Sequence, residues 1–370
     1  MAIRTPAKGE HKQSSSESDH GVNVDLLKKL TETPGVAGRE ERVRALVVEE
    51  LKPLVDEVRV DALGNVVAIK RGKGKNAARV MLAAHMDEIG FMVRYIDDHG
   101  FVRVQPLGGF DARALFAQRV LVHTSSGEPL RGALMPQSKP IHLLAGEKPE
   151  APKLEDFYID LGLPVEAVRE RVKIGDSVTL DRTLERTGDN VISKALDDRA
   201  GVFTMIEAVR KLSKHEVDVY AVATVQEEVG LRGATTSAFA VEPDIAIALD
   251  TTLALDTPGM GGPEAVTSLG DGVAIKVFDS SFIPNYKLVQ HMREVAEKAG
   301  IKHQMEVLPR GGTDAGAMQR SRAGAAAITL SIPSRYVHTV NEMVSVSDLD
   351  AAATLLARFI EAAHERTYTL

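Results

Sequence analysis

The chain contains no cysteine. This absence excludes disulfide bonds, thiolate metal ligands and a cysteine nucleophile, and it is compatible with the reducing cytoplasm. Any metal site must therefore be built from His, Asp and Glu side chains. Aromatic residues are also scarce, at 4% of the sequence, which is few for a groove that binds sugars by stacking on aromatic rings.

Long apolar runs and an excess of positive charge are missing as well. No uninterrupted apolar stretch approaches the roughly 20 residues of a membrane span, so we expect no membrane partner. The formal net charge is −7, which offers no electrostatic footprint for a nucleic-acid partner. The N-terminal segment has no apolar stretch of the signal-peptide type. We therefore expect a cytoplasmic protein.

The 370 residues exceed what a single hydrophobic core usually supports, so two folded domains are expected. Residues 24–90 and 190–370 show the patterns of helices and buried strands, which predict an α/β domain with a central mixed sheet flanked by helices. Residues 91–189 show short alternating strands broken by turns, typical of a small all-β barrel or sandwich inserted into that domain. Residues 1–23 are interpreted as a flexible polar tail.

Apolar spacing also predicts the individual elements of the α/β domain. Strands with near-continuous apolar character are buried on both faces in α/β proteins, whose ligands gather at the carboxyl ends of the strands. The residues that follow such strands are therefore candidates for function. Helices are predicted near 24–30, 39–54, 199–212 and 284–299, with a final helix capped by Ser347, and strands near 58–60, 66–69, 79–84, 217–225, 245–249 and 325–330.

Two adjacent acids, Glu227 and Glu228, follow the predicted strand at 217–225. Successive side chains of an extended segment point to opposite sides, so one carboxylate could bind a metal while its neighbour handles a proton. The ordinary alternative is a solvated pair of surface glutamates. Their position directly after an apolar strand favours the functional interpretation.

Further metal-binding side chains stand at the ends of other predicted strands and at the start of one helix. Each alone has an ordinary explanation, such as a structural histidine or a helix cap. Their recurrence at equivalent strand ends favours a shared site. The set comprises His85, Asp197, Asp198, Asp250 and His338, in addition to the two glutamates.

Two histidines and several carboxylates, without thiolates, suit Zn, Co or Mn. Two such ions about 3.5 to 4 Å apart form a hydrolytic pair that activates water at neutral pH. Asp87 lies two residues after His85 on the same side of an extended strand, where it could accept the free imidazole N–H. The residues therefore predict a dinuclear hydrolytic site, with zinc as the favoured ion.

Five separated motifs resemble, in the right order, those of the tetrahedral metallo-aminopeptidases, the family that includes the glutamyl aminopeptidases. The resemblance extends from about residue 24 to residue 363. The motifs are 84–91 (AHMDEIGF), 194–201 (KALDDRAG), 226–230 (QEEVG), Asp250 and 310–315 (RGGTDA).

The resemblance implies two divalent metal ions per subunit and the removal of N-terminal residues from peptide substrates. One aspartate would bridge both ions, and two further residues would complete each of them. The implied ligands are Asp197 as the bridge, Glu228 and His338 for one ion, and His85 and Asp250 for the other.

The resemblance also assigns roles outside the ligand set. Glu227 becomes the general base, which takes a proton from the attacking water and delivers it to the leaving amine. Asp87 joins the catalytic group through its position beside His85. The peptide bond that follows Asp197 is implied to be cis.

The insertion 91–189 is implied to be a dimerisation domain, and six dimers are implied to form a hollow tetrahedral dodecamer with the active sites inside. His142, in the insertion, is interpreted as structural or intersubunit. Relatives place the Gly-rich loop 311–316 beside the substrate, so Thr313 and Asp314 are candidate substrate contacts. The alternative for this loop is a turn followed by a capped helix start.

Alternatives remain for selectivity and for reaction class. Arg310 and Arg335 could favour acidic N-terminal residues, as in a glutamyl- or aspartyl-selective aminopeptidase, although a neutral or broad preference is predicted. A glycosidase with paired carboxylates leaves both histidines and Asp250 unexplained. A non-catalytic assembly protein predicts the loss of a ligand residue, and every expected ligand is present.

Overall fold

The computed structural model describes residues 21–125, 127–144 and 151–370. The tail predicted for 1–23 lies outside these residues except for its last three positions. Within the described part, the chain forms seventeen β-strands and eight α-helices. No helix in these segments is long and apolar enough to cross a bilayer.

The helices lie mainly in the second half of the chain. They are α1 Val24–Glu32, α2 Glu41–Leu51, α3 Val165–Arg171, α4 Leu196–Lys211, α5 Arg232–Val241, α6 Tyr286–Ala299, α7 Asp314–Gln319 and α8 Val346–Ala362.

The strands are distributed over the whole described chain. They are β1 Glu57–Val60, β2 Val66–Lys70, β3 Arg79–His85, β4 Gly90–Ile96, β5 Val102–Leu107, β6 Gln118–His123, β7 Leu130–Pro136, β8 Phe157–Asp160, β9 Ser177–Leu180, β10 Glu185–Thr187, β11 Asn190–Ser193, β12 Asp218–Thr224, β13 Ile245–Leu253, β14 Val273–Phe278, β15 His303–Val307, β16 Ala326–Arg335 and β17 Glu342–Ser345.

Eleven strands form one mixed sheet, in the order β1-β2-β12-β3-β13-β16-β17-β11-β10, with β14 paired to β15 and β16. The central strands β12, β3, β13 and β16 run parallel to one another. The other six strands close into a barrel in the order β4-β5-β8-β7-β6-β9. The structure therefore confirms the predicted α/β fold with a central mixed sheet and a barrel-like β insertion.

Helices cover both faces of the mixed sheet. On one face α4 and α8 pack together against the central strands, and on the other α5 and α7 cover β3, β12 and β13. Burial of a large apolar side chain contributes about 1.5–3 kcal/mol, so the inward face of α8 anchors it firmly. The fully buried residues of that face include Leu349, Leu355, Leu356 and Phe359, as the periodicity predicted.

Two predicted helix ends differ from the structure. The segment predicted as one helix over 39–54 forms α2 and then a 3₁₀ turn, Lys52–Leu54, because Pro53 cannot donate the next helical hydrogen bond. The prediction that Ser347 caps the final helix is wrong, since α8 already begins at Val346. The Ser347 hydroxyl instead donates to Asp189.

The barrel extends from Gly90 to Leu180, whereas the predicted insertion covers 91–189. The next strand, β10, pairs with β11 and belongs to the mixed sheet. The assignment of these segments as separate functional domains stays a prediction.

Candidate metal centre

The parallel strands bring their carboxyl ends to one edge of the mixed sheet. His85 is the last residue of β3, and it lies opposite Thr224 at the end of β12. Glu227 and Glu228 follow β12, Asp250 lies within β13, and His338 follows β16. The site therefore forms where strand ends meet, as in other α/β proteins.

Asp197 lies between the two imidazoles. Its Oδ1 is 3.2 Å from His85 Nε2, and its Oδ2 is 3.3 Å from His338 Nε2. Asp197 and Asp198 form an irregular first turn of α4, with non-helical backbone angles, and the peptide bond between them is cis. This turn presents the Asp197 carboxylate to residues on two different strands.

Two clusters of possible ligand atoms share His85. One contains His85, Asp197 and Glu228, and the other contains His85, Asp198 and Asp250, with the ligand atoms of each cluster within 4.8 Å of one another. His338 Nε2 lies 3.5 Å from Glu228 Oε1, beside the first cluster. All of the atoms that face one another here are imidazole nitrogens and carboxylate oxygens.

A divalent cation fits this set of donors. Within the described residues, Asp197 Oδ1 is buried without a hydrogen-bond donor, and a buried carboxylate oxygen normally has a donor or a cation as its partner. Nitrogen and oxygen ligands without sulfur suit Zn, Co or Mn. The residues at this edge could thus hold divalent metal at two adjoining positions.

The loop that carries the two glutamates is held by other acids. The carboxylate of Asp87 accepts hydrogen bonds from the main-chain N–H groups of Glu227 and Glu228, at 2.9 and 3.1 Å. Glu40 accepts from the N–H of Gln226 at 3.2 Å. Gln226 has a φ of 56°, a left-handed conformation that is unusual for a residue with a side chain. Three consecutive amides are thereby fixed, which orients both glutamate side chains.

Asp87 contacts His85 differently from the sequence-based expectation. The nearest acceptor of His85 Nδ1 is the main-chain carbonyl oxygen of Asp87 at 2.9 Å, whereas the Asp87 carboxylate is 3.6 Å away. The carbonyl therefore orients the imidazole, and the carboxylate orients the glutamate loop.

The buried acids have shifted pKa values. Burial raises the pKa of Glu227 and of Asp250 well above the usual range. Burial, helped by the charge of Asp197, raises the pKa of Glu228 to about 7. Burial opposes protonation of His338, but its contact with Asp197 outweighs this and raises its pKa to about 10. Cations that offset the negative charge would compete with protons for this site.

A family model for the M42 glutamyl aminopeptidases matches residues 64–355. The chain belongs to this family. It is an aminopeptidase, a hydrolase that removes terminal residues from peptides.

Two related enzymes carry different selectivities in their names. The lysyl aminopeptidase of Pyrococcus furiosus is 40% identical over 92% of this chain and 97% of its own. The glutamyl aminopeptidase of Lactococcus lactis is 33% identical over 91% of this chain and 95% of its own.

Solved structures of similar proteins share the whole fold. An aminopeptidase from Desulfurococcus kamchatkensis superposes with a TM-score of 0.87 at 43% identity, covering 91% of this chain and 94% of its own. The TET1 peptidase of Pyrococcus horikoshii, which can assemble into a tetrahedron or a large octahedral shell, gives 0.80 at 35%, covering 91% and 98%. A Thermotoga maritima protein titled an endoglucanase gives 0.75 at 29%, covering 91% and 97%.

The two candidate substrate residues of this M42 aminopeptidase, Thr313 and Asp314, are both buried. Thr313 caps α7 by accepting a hydrogen bond from the N–H of Ala315. Asp314 accepts from the Thr224 hydroxyl at 2.6 Å, at the end of β12, and burial raises its pKa to about 6. Their role in substrate binding stays a prediction.

His142 lies apart from these residues, in a short 3₁₀ segment, Ile141–Leu143, that follows β7 of the barrel. Its side chain is exposed. The interpretation of His142 as structural or intersubunit likewise stays a prediction.

The barrel nevertheless contributes a wall to the metal centre. A Cβ added at Gly108, which has a φ of 94°, would lie 3.0 Å from Glu228 Oε2. One added at Gly109 would lie 3.4 Å from His338 Nδ1. The segment after β5 can therefore approach two candidate ligands because it has no side chains at these positions.

Sequence reasoning missed two buried acids of the M42 site. Glu40 holds Gln226, and Glu342 accepts hydrogen bonds from the N–H groups of Asp197 and His338. Burial and the charge of Asp197 raise the pKa of Glu342 to about 8. The available signal was an acid at the start of the short strand β17, directly before Met343 and Val344, since Glu is rarely buried unless it is paired.

A buried cluster of charged side chains lies next to the sheet edge that carries the candidate ligands. Lys194 Nζ lies 2.6 Å from Glu88 Oε2 and donates to the carbonyl of Thr31 at 2.8 Å. The fully buried Arg199 donates to the carbonyl of Met86 at 2.7 Å. These contacts tie α1 and α4 to the segment between His85 and Gly90.

Proposed function

We propose that this aminopeptidase removes N-terminal residues from peptides at a centre of two divalent ions. Asp197 would hold both ions, Glu228 and His338 would complete one, and His85 and Asp250 would complete the other. The observation that carries the proposal is the pair of adjoining donor clusters, which together contain the proposed ligands His85, Asp197, Glu228 and Asp250. The position of Asp197 between the two imidazoles, at 3.2 and 3.3 Å, supports its bridging role.

When bound, divalent ions supply Lewis acidity, which polarises the scissile carbonyl and lowers the pKa of the attacking water. Glu227 is the general base. Its carboxylate lies 4.0 Å from His85 Nε2 and is 12% exposed, so it borders the donor clusters without lying in either of them. It accepts a proton from the attacking water on a carboxylate oxygen and delivers this proton to the leaving amine.

Zinc is the favoured ion, with cobalt and manganese as alternatives, because the ligand set contains only imidazole and carboxylate groups. Asp198 belongs to the second donor cluster, but its carboxylate accepts hydrogen bonds from the N–H groups of His85 and Gly201, at 3.1 and 3.0 Å. We therefore keep Asp250 as the ligand and assign Asp198 to the support of His85.

A neutral or broad preference for the N-terminal residue is the substrate class that we propose. Arg335, a candidate for binding acidic side chains, already forms a two-point ion pair with Asp256, with both N–O distances at 2.6 Å. Much of its positive charge is thereby neutralised. Thr313 and Asp314, which are both buried, remain candidates for shaping the substrate pocket.

We further propose that the barrel is a dimerisation domain and that six dimers form a tetrahedral dodecamer. Exposed large apolar side chains on the barrel, including Tyr95, Phe116 and Ile174, support an interface there. The tetrahedral assembly named for the Pyrococcus horikoshii relative supports the same arrangement. The absence of cysteine keeps the cytoplasm as the expected location.

A panel of aminoacyl p-nitroanilides, assayed with and without a chelator, tests the proposed function. We expect hydrolysis of several neutral substrates, loss of activity with the chelator, and recovery when Zn, Co or Mn is restored. An N-acetylated substrate serves as the control, since it has no free amine and should not be cleaved. Activity that survives complete removal of metal would refute the metal-dependent mechanism.

The glycosidase is the second candidate, because the solved relative from Thermotoga maritima is named an endoglucanase. Paired carboxylates hydrolyse glycosides without metal, so glucan hydrolysis that persists in the chelator would support it. We expect no glucan hydrolysis under either condition.

A further inference from the structure

Glu342 makes an unusual pair of contacts with the metal centre. Its side chain is 1% exposed, at the start of β17. Oε2 accepts a hydrogen bond from the main-chain N–H of Asp197 at 3.0 Å, and Oε1 accepts one from the main-chain N–H of His338 at 2.8 Å. One buried carboxylate thus joins two residues from distant parts of the chain.

The sheet explains why Glu342 can reach both amides. Strand β17 lies between β11 and β16, with Glu342 opposite Ser193 at the end of β11 and Met343 opposite Arg335 at the end of β16. The chain that leaves β11 soon reaches Asp197, and the chain that leaves β16 soon reaches His338. Glu342 therefore stands where these two loops begin to separate.

Both amides belong to backbone that needs support. His338 has a φ of 63°, in the left-handed region that costs a residue with a side chain about 1 kcal/mol or more. Asp197 lies in the irregular first turn of α4, with a ψ of 109°. Both oxygens of Glu342 accept main-chain N–H groups, which requires the ionised carboxylate. Burial and the charge of Asp197 raise the pKa of Glu342, and cations bound at the adjoining site would offset that charge. A carboxamide in either orientation turns its NH₂ group towards one of the two N–H donors.

We propose that Glu342 is a positioning residue that fixes Asp197 and His338 as metal ligands by accepting hydrogen bonds from both of their main-chain amides. The inference rests on the proposed function, since it takes these two residues as ligands. Glu342 acts only through the backbone of Asp197 and His338. The ion beside His338 depends on both hydrogen bonds, whereas the ion beside His85 depends only on the one to Asp197.

Zn²⁺ binding to metal-free protein tests the proposal, with wild type, Glu342→Gln and Glu342→Ala compared by competition with a chromogenic chelator. We expect Glu342→Gln to bind one Zn²⁺ per subunit about 10- to 100-fold more weakly than wild type, with a smaller loss for the other ion. Glu342→Ala should lose more. The Gln variant keeps the size of the side chain and one acceptor oxygen, so it decides the question if the Ala variant does not fold.

Asp348 provides a matched control. It is also 1% exposed, and its carboxylate also accepts from two main-chain amides, those of Gly270 and Gly272, both at 2.8 Å. Asp348→Asn should lower thermal stability but leave Zn²⁺ affinity within about twofold of wild type, because it removes the same kind of contact elsewhere.

Three outcomes separate the inference from the proposed function. Equal Zn²⁺ affinity in Glu342→Gln and wild type would overturn the inference while leaving the proposed function intact. An equally large loss in Asp348→Asn would also overturn it, because the effect would then be general destabilisation. Wild-type protein that binds no Zn²⁺ would overturn the proposed function, and the inference with it.

Discussion

The neighbouring residues Glu227 and Glu228 differ in what surrounds their carboxylates. Glu228 Oε1 lies 3.5 Å from His338 Nε2 and the side chain is 5% exposed, whereas the Glu227 carboxylate lies at the margin of the donor clusters and is 12% exposed. The same acid, Asp87, holds the main-chain amides of both. The different roles that we propose for them therefore depend on where the side chains point and not on separate main-chain contacts.

Glu227→Gln should abolish most turnover without loss of metal. The amide keeps the shape of the side chain but cannot accept the proton, and a positioned general base contributes about 10²- to 10⁴-fold. Turnover of a p-nitroanilide and the zinc content of the purified protein are the two measurements. Glu41→Gln, an exposed glutamate on α2, should behave as wild type. A Glu227→Gln enzyme with an unchanged rate would remove Glu227 as the base.

The candidate site residues that the sequence predicts are those at the ends of apolar strands or at the start of a helix, such as His85, Asp197 and Asp250. Glu40 and Glu342 escaped because each acts on main-chain amides of a loop distant in sequence. No local pattern records such a contact. The carbonyl of Asp87, which takes the imidazole N–H that the carboxylate was expected to accept, is only two residues from His85. Here the backbone conformation decides which oxygen of Asp87 faces the ring, and the sequence pattern does not specify that conformation.

Among the elements, the long periodic helices and the continuous apolar strands were predictable, but β14 and β15 were not. Lys276 in β14 and Glu306 in β15 are fully buried and lie 2.5 Å apart as an ion pair. Lys276 interrupts an otherwise apolar strand, and in β15 the one buried residue is Glu306 itself, so neither segment shows a clear strand pattern. The two charges can be buried because they pair with each other in the folded protein. The sequence of one strand does not show that the other strand supplies the partner.

The barrel should make the stability of the protein dependent on pH through His123 of β6. Its Nε2 lies 2.9 Å from the Thr179 hydroxyl of β9, and burial lowers its pKa to about 4. The ordinary pKa of a histidine is near 6.5. At pH values between the two pKa values, the unfolded chain therefore binds the proton more readily than the folded chain does. This contribution is therefore complete above about pH 6.5 and is lost as the pH falls towards 4.

Urea unfolding between pH 4 and 7 measures this effect. Because His123 is only partly buried, we expect this residue to account for a loss of about 1–2 kcal/mol over the range, and His123→Gln should remove that part of the dependence. His99→Gln, at the exposed β4–β5 turn, is the control and should retain it. An identical pH dependence in wild type and His123→Gln would contradict the assignment.

For the whole molecule, the proposed assembly has a direct consequence for mass. Twelve chains of 39.9 kDa give about 480 kDa, which light scattering after gel filtration distinguishes easily from a dimer or a monomer. Replacing the exposed Tyr95 and Phe116 of the barrel with Ser should release smaller species if the barrel forms the dimer. A double variant that keeps the full mass would argue against an interface at that surface.

We expect the aminopeptidase activity of this M42 protein to depend on two divalent ions at one edge of the sheet. Titration of metal-free protein with Zn²⁺, followed by the rate of hydrolysis of a neutral aminoacyl p-nitroanilide, tests it most directly. We predict no activity without metal and a rate that rises to its maximum as two ions bind per subunit. A full rate in the metal-free protein, or a maximum reached with one ion, would contradict a two-ion mechanism.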